Sequence, residues 1–249
     1  MDEPGTDVAS ATDRDGTPVG RRVVLAMAGL GAAGIVYGSK VQGHVASALR
    51  PLTSVDPTGF ASLIPGADKF RIYTVTGSRP KRSRGAWRMK VGGLVERPTT
   101  LRFADLLDLP AAGLTADFQC VTGWRVPDVP WKGVRLANVL DHVGVAPEAT
   151  HVRFTSFDGA YSESLSLAQA RRDDVLVAYE LLGAPVSSDH GGPVRLYVAP
   201  MYGYKSIKWL DGIELTAKEQ PGYWEGRGYD TDAWVGQSNG RQDRTTTDR

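Results

Sequence analysis

A chain of 249 residues, 41% of them hydrophobic, is long and apolar enough to bury a core, which excludes a wholly disordered protein. Lys and Arg number 29 against 28 Asp and Glu, a formal net charge of +1, so the basic excess of a nucleic-acid binder is missing. There is one cysteine, which excludes an internal disulfide, a zinc ribbon and an iron–sulfur cluster held by several thiolates. Cys120 therefore acts alone: as a small buried hydrophobe, as a nucleophile, or as one ligand to a metal with other donors.

Met1–Gly20 is polar, and reads as a disordered leader. Arg21-Arg22 follows, then the apolar run Val23–Gly38 and the small-residue stretch Ala46-Ser47-Ala48. That order matches an export signal of the twin-arginine type, which carries folded proteins across a membrane. The alternative is a membrane anchor, although the run falls short of the ~20 residues a spanning helix needs. Left uncleaved, the signal would tether the protein to the outer face of the membrane. Residues 49–69 read as a linker, 70–235 as one continuous domain and 236–249 as a polar, disordered tail.

Within the domain, Phe70–Thr76 alternates and is β-branched, so a strand is expected. Ser78–Gly85 is a basic loop. Trp87–Val95 reads as a strand broken at Gly92-Gly93, and Phe103–Leu109 as a short helix closed by Pro110. Thr115–Cys120 is a strand candidate. Val134–Val143 has apolar residues at helical spacing and ends at Gly144. Val152–Phe157 is a strand, Ser166 with Gln169 makes a capping box, and Val175–Tyr179, Val194–Ala199 and Ser206–Leu215 are further strands. Short strands and helices without a strict βαβ beat point to an α+β domain with mixed sheets. No Gly-x-Gly-x-x-Gly fingerprint and no Gly-x-Ser-x-Gly elbow is present, which argues against a dinucleotide-binding dehydrogenase and an α/β-hydrolase.

Cys120 closes its strand and is followed by Val121-Thr122-Gly123-Trp124-Arg125. A strand running into a turn exposes its last side chain at a sheet edge, and Arg125 offers a fixed charge that favours a thiolate. The segment Phe118–Arg125 with Val129–Leu136 resembles the central motif of the sulfite oxidase family of molybdenum enzymes. Asp189–Arg195 and Tyr202–Leu210 agree with a second block in the right order, and Trp87–Pro98 is similar to the family's opening strand; together they span roughly Phe70 to Trp234.

The resemblance implies a molybdopterin-binding fold carrying a molybdenum-molybdopterin cofactor (Mo-MPT), with Cys120 as the thiolate ligand to molybdenum. It implies that His190 and Arg195 grip the cofactor's phosphate end, and that Ser206, Ile207 and Lys208 contact it through backbone amides and a lysine. Tyr204 and Lys205 add hydroxyl and cationic groups suited to an anion in that stretch. Ser156, Tyr73 and Thr74 fall where relatives supply further contacts, the asparagine common beside the last two being absent here. Arg125 stands where sulfite oxidases hold their oxyanion, and Tyr229 where a phenol lines the metal pocket.

No haem domain and no following dimerisation domain is recognised, which points towards the small monomeric relatives, among them periplasmic methionine-sulfoxide reductases. The implied activity is two-electron oxygen-atom transfer on a small or methionine-sulfoxide-type substrate, with a membrane haem or quinone-linked electron partner. Two other classes stand beside it: a metal-free thiol enzyme pairing Cys120 with His151 or His190, and an exported cofactor-binding module without turnover.

Overall fold

The computed structural model describes residues 70–238. The leader, the linker and the polar tail beyond Ser238 lie outside the described residues.

Among the described residues, ten strands form two sheets. They are β1 (Arg88–Gly93), β2 (Thr99–Arg102), β3 (Ala111–Gln119), β4 (Arg125–Arg135), β5 (His151–Ser156), β6 (Ser162–Ser166), β7 (Val175–Leu181), β8 (Ala184–Pro185), β9 (Arg195–Val198) and β10 (Leu210–Thr216). Short helices intervene: α1 (Phe103–Leu107), α2 (Leu136–Val143) and α3 (Leu167–Ala170). The first sheet runs β2-β1-β10-β5-β6 and is mixed, since β1 pairs with β10 in parallel and every other pair is antiparallel. The second runs β3-β4-β7-β8, with β9 also on β7, and is antiparallel throughout. The expected α+β class with a mixed sheet is the observed one, weighted towards β.

Strand β7 explains how two cores fit in one domain. Its residues are buried on both faces, as a continuous apolar run requires. Val175, Val177 and Tyr179 join the large core with α2 and the first sheet, while Leu176, Ala178 and Leu181 join a second, aromatic core with Phe118, Trp124, Trp131 and Tyr197. The alternation of side chains across a strand makes β7 the partition between them as far as Ala178, and the register shift against β4 beyond it carries Leu181 to the second core. Gly133 of β4 is needed for this contact: a Cβ there would stand 2.2 Å from the Val177 carbonyl oxygen.

Several expectations hold locally. The Ser166–Gln169 capping box is present in both directions, at 3.2 and 2.9 Å. Helix α2 buries Leu136, Val139, Leu140 and Val143 and stops at Gly144.

Others need correction. Phe70–Thr76 pairs with no strand; it crosses the aromatic core as irregular chain that bends at Val75, anchored by Phe70 on Phe118, Trp124 and His190. Its alternation records aromatic docking, because β-propensity describes a fit to a half-buried surface and needs no ladder. The expected strand over Ser206–Leu215 begins only at Leu210; Gly203–Lys205 is a 3₁₀ turn, and Trp209 has φ 55°. Val134 and Arg135 belong to β4, so α2 starts two residues later than its periodicity indicates.

Candidate functional site

The β3–β4 connection is a tight turn. Cys120 N–H donates to the Trp124 carbonyl at 2.9 Å, Gly123 N–H donates to the Cys120 carbonyl at 3.0 Å, and Cys120 Sγ lies 3.2 Å from Thr122 Oγ1. The longest hairpin of the fold therefore presents the lone thiol at its tip, half-buried against the aromatic core. The tip opens onto a cavity of about 530 Å³.

One end of this cavity is cationic. Arg195, the first residue of β9, is 3% exposed. Its guanidinium donates to the carbonyls of His190 and Ser206 at 2.7 Å each and stacks near the rings of Phe118 and Trp131. No salt bridge to Arg195 exists among the described residues. An ion taken out of water without an opposite charge costs several kcal/mol, and here burial brings the guanidinium pKa down to about 10.

Lys208 and His190 stand beside it. Burial, with Arg195 adding repulsion, lowers Lys208 to about 8. Burial and the same arginine depress His190. Lys208 Nζ donates to the Tyr73 carbonyl, and its ammonium lies 4.5 Å from the Trp209 ring centre. Gly191, at φ 95°, lets the His190 turn approach: a Cβ would meet Lys208 Cβ at 2.5 Å. Two mutually repelling cations, Arg195 and Lys208, with the His190 imidazole beside them form a site suited to an anion.

Another part of the lining, a wall of the cavity, is aromatic. Tyr161, Tyr204, Tyr223, Trp224 and Tyr229 line it. Tyr229 is held by ring contacts to Tyr204 and Trp224, and the Tyr161 hydroxyl donates to the Tyr204 carbonyl at 2.7 Å.

Of the residues singled out from sequence, Tyr73, Thr74, Cys120, His190, Arg195, Ser206, Ile207, Lys208 and Tyr229 all line this one cavity. Three stand elsewhere. Ser156 is buried, with Oγ accepting from Asp158 N–H. Arg125 lies outside the lining, its Nε 3.1 Å from Asp117 Oδ2. Lys205, counted as an anion contact, points the other way: it is fully buried between Glu163 and Glu225. Sequence reasoning passed over Tyr161, Tyr223 and Trp224, since aromatic residues in turns carry no periodic signal.

Residues 76–224 match the family described as oxidoreductase molybdopterin binding domain. The chain belongs to this family. Over 153 residues it is 37% identical to the uncharacterized oxidoreductase YuiH of Bacillus subtilis, covering 61% of this chain and 77% of that one. It is 32% identical to the sulfite oxidase of Arabidopsis thaliana, over 67% of this chain and 47% of the plant enzyme. It is 29% identical to the protein-methionine-sulfoxide reductase catalytic subunit MsrP of Ralstonia nicotianae, over 82% and 71%. Among solved structures, the sulfane dehydrogenase SoxCD of Paracoccus pantotrophus shares the fold, with a TM-score of 0.53 at 23% identity over 62% of this chain and 46% of that one. The chain thus spans less than half the length of the plant enzyme.

The side chains of this molybdopterin-binding oxidoreductase domain suit the group its family is named for. A buried arginine lacking a carboxylate fits a phosphate end, and a lone thiol fits a sulfur-rich metal site. No group of three or more His, Cys, Asp or Glu is placed to hold a metal ion among the described residues. A metal at Cys120 would draw its remaining donors from its cofactor.

Proposed function

We propose that the protein is an exported molybdenum-cofactor oxidoreductase that transfers an oxygen atom, with two electrons, on a sulfoxide-type substrate. The observation that carries this reading is the shared cavity: the sole thiol and a buried guanidinium without a carboxylate open onto the same space. When bound, the molybdenum-molybdopterin cofactor supplies the two-electron centre. Cys120 is its protein ligand. Arg195, His190 and Lys208 hold the phosphate end, Ser206 and Ile207 pack beside it, and Tyr73 and Thr74 border it from the crossing segment. The aromatic wall excludes water and receives the apolar arms of a substrate, and the Tyr229 phenol is the donor proposed for a sulfoxide oxygen.

A neutral sulfoxide is preferred to sulfite because of Arg125. A trigonal oxyanion calls for fixed positive charge near the metal, and the arginine in the position used for that purpose is engaged with Asp117, outside the lining. The resemblance to MsrP supports the same choice. Export belongs to the proposal on the strength of the Arg21-Arg22 leader. A membrane haem or quinone-linked electron partner, and function as a monomer, complete it.

The test is elemental analysis of protein from a host that makes the cofactor, with Cys120→Ser alongside, followed by turnover of methionine sulfoxide and of sulfite. Near-stoichiometric molybdenum and methionine-sulfoxide reduction are expected in the wild type. Cys120→Ser should fold and lose at least a hundredfold in turnover, roughly 2.7 kcal/mol of barrier or more. Molybdenum absent from folded wild-type protein would overturn the class. Sulfite turnover in preference to sulfoxide would overturn the substrate.

A further inference from the structure

Behind the aromatic wall lies a group of charges that the proposed chemistry does not use. Lys205, Glu163 and Glu225 have side-chain exposures of 0%, 0% and 1%. Lys205 Nζ donates to Glu163 Oε1, Glu225 Oε1 and the Ser164 carbonyl, each at 2.6 Å, which uses all three of its protons. The outer oxygens, Glu163 Oε2 and Glu225 Oε2, are buried and receive no donor.

Two carboxylates and one ammonium leave a buried net charge of −1. The neighbouring groups offer no relief. Tyr161 and Tyr204, on which both carboxyls act, are phenols held neutral by burial, and Asp158 beside the first and Asp230 beside the second are acids. Lys205 is the cation paired with both carboxyls. A buried uncompensated charge is costly enough that a titratable group neutralises instead. One added proton solves both problems: it cancels the charge, and it supplies a donor to the orphaned oxygens, because the two carboxyls stand within hydrogen-bonding reach of each other. Burial favours Glu163 as its holder, while the contacts with Glu163 and Lys205 keep Glu225 ionised.

The placement gives the cluster a role. Glu163 lies on β6. Lys205 immediately precedes Ser206–Lys208, and Glu225 follows Trp224 in the stretch that ends at Tyr229. We propose that Glu163 and Glu225 share one proton at neutral pH and that this neutral Glu163–Lys205–Glu225 cluster is the positioning device clamping both cavity-lining stretches to β6. Loss of the proton leaves a buried negative charge and loosens the clamp. The proposal does not depend on what the cavity binds.

Infrared spectroscopy of the purified full chain tests it. The wild type should show one buried protonated-carboxyl carbonyl band at neutral pH, absent from both Glu163→Gln and Glu225→Gln, since each variant leaves one carboxylate to pair with Lys205. On raising the pH, that band should bleach in the wild type. In step with it, the thermal midpoint should fall and the near-ultraviolet dichroism of the wall aromatics should change, with neither change in Glu163→Gln. Lack of the band in the wild type, its persistence in both variants, or parallel pH curves for wild type and Glu163→Gln would each overturn the proposal. Should Glu163→Gln not fold, Glu225→Gln and the wild-type titration decide alone.

Discussion

Arg195 shows how one residue type, rather than a charge, is built into a site. Its guanidinium reaches two carbonyls that lie on different turns, one before β9 and one after the 3₁₀ turn, and still faces the cavity. A planar fork with five fixed donors does this; an ammonium on a flexible stem does not. Arg195→Lys keeps the charge and loses the geometry. The expected outcome is a folded protein whose cofactor content after purification drops severalfold, and whose stability falls by about 1–3 kcal/mol because a buried carbonyl loses its donor. Molybdenum content and a denaturation curve measured on the same preparation check both halves. Cofactor content equal to wild type would remove Arg195 from the phosphate grip.

The element that positions Cys120 is the β3–β4 hairpin, held from below by β7. At Gly133 the ladder between β4 and β7 shifts register, and the backbones come so close that a Cβ would lie 2.2 Å from the Val177 carbonyl oxygen and 2.7 Å from Ala178 Cα. Neither neighbour is a flexible side chain, so the strands must part. Gly133→Ala is expected to cost about 1–3 kcal/mol, as overpacking does, read as a lower denaturation midpoint at unchanged slope. This hairpin also marks the limit of what the sequence conveys. β3 was legible from its β-rich stretch, and the exposed end at Cys120 from the turn residues after it. β4 was not, since Pro127, Pro130 and Gly133 read as breakers. The structure tolerates the prolines because the ladder from β4 to β7 begins only at Trp131. The segment Phe70–Thr76 failed in the opposite sense: strand-like alternation without a partner strand. Motif order brought nine residues to one cavity, whereas Lys205, in the same motif, turned inward for Glu163 and Glu225, acids 42 and 20 positions away that no local pattern connects to it.

At the scale of the whole molecule, the cationic end of the cavity sets a pH dependence of stability opposite in sign to that of the buried carboxyls. Burial and Arg195 hold Lys208 at about 8 in the folded chain, against an ordinary 10.5. Below pH 8 both states carry the proton, and the folded state bears the whole penalty. Between about 8 and 10.5 the unfolded chain binds more protons, so stability rises with pH across that window. The gain is on the order of 1–3 kcal/mol after allowance for partial solvent screening. Glu163, raised by burial, works the other way, losing stability as pH climbs from the ordinary carboxylate range through its folded value. Comparing cofactor-free wild type with Lys208→Met separates the two, because Glu163 titrates in both. The variant also forfeits its contacts to the Tyr73 carbonyl and the Trp209 ring, a loss that offsets the curve without bending it. The wild-type thermal midpoint should therefore climb relative to the variant between pH 8 and 10. Pyrophosphate, pairing with Arg195 and Lys208, should raise the wild-type midpoint at pH 7 and do so less at pH 9.5, where Lys208 is neutral. A flat difference curve, or a pyrophosphate effect indifferent to pH, would mean that Lys208 does not carry its charge into the cavity.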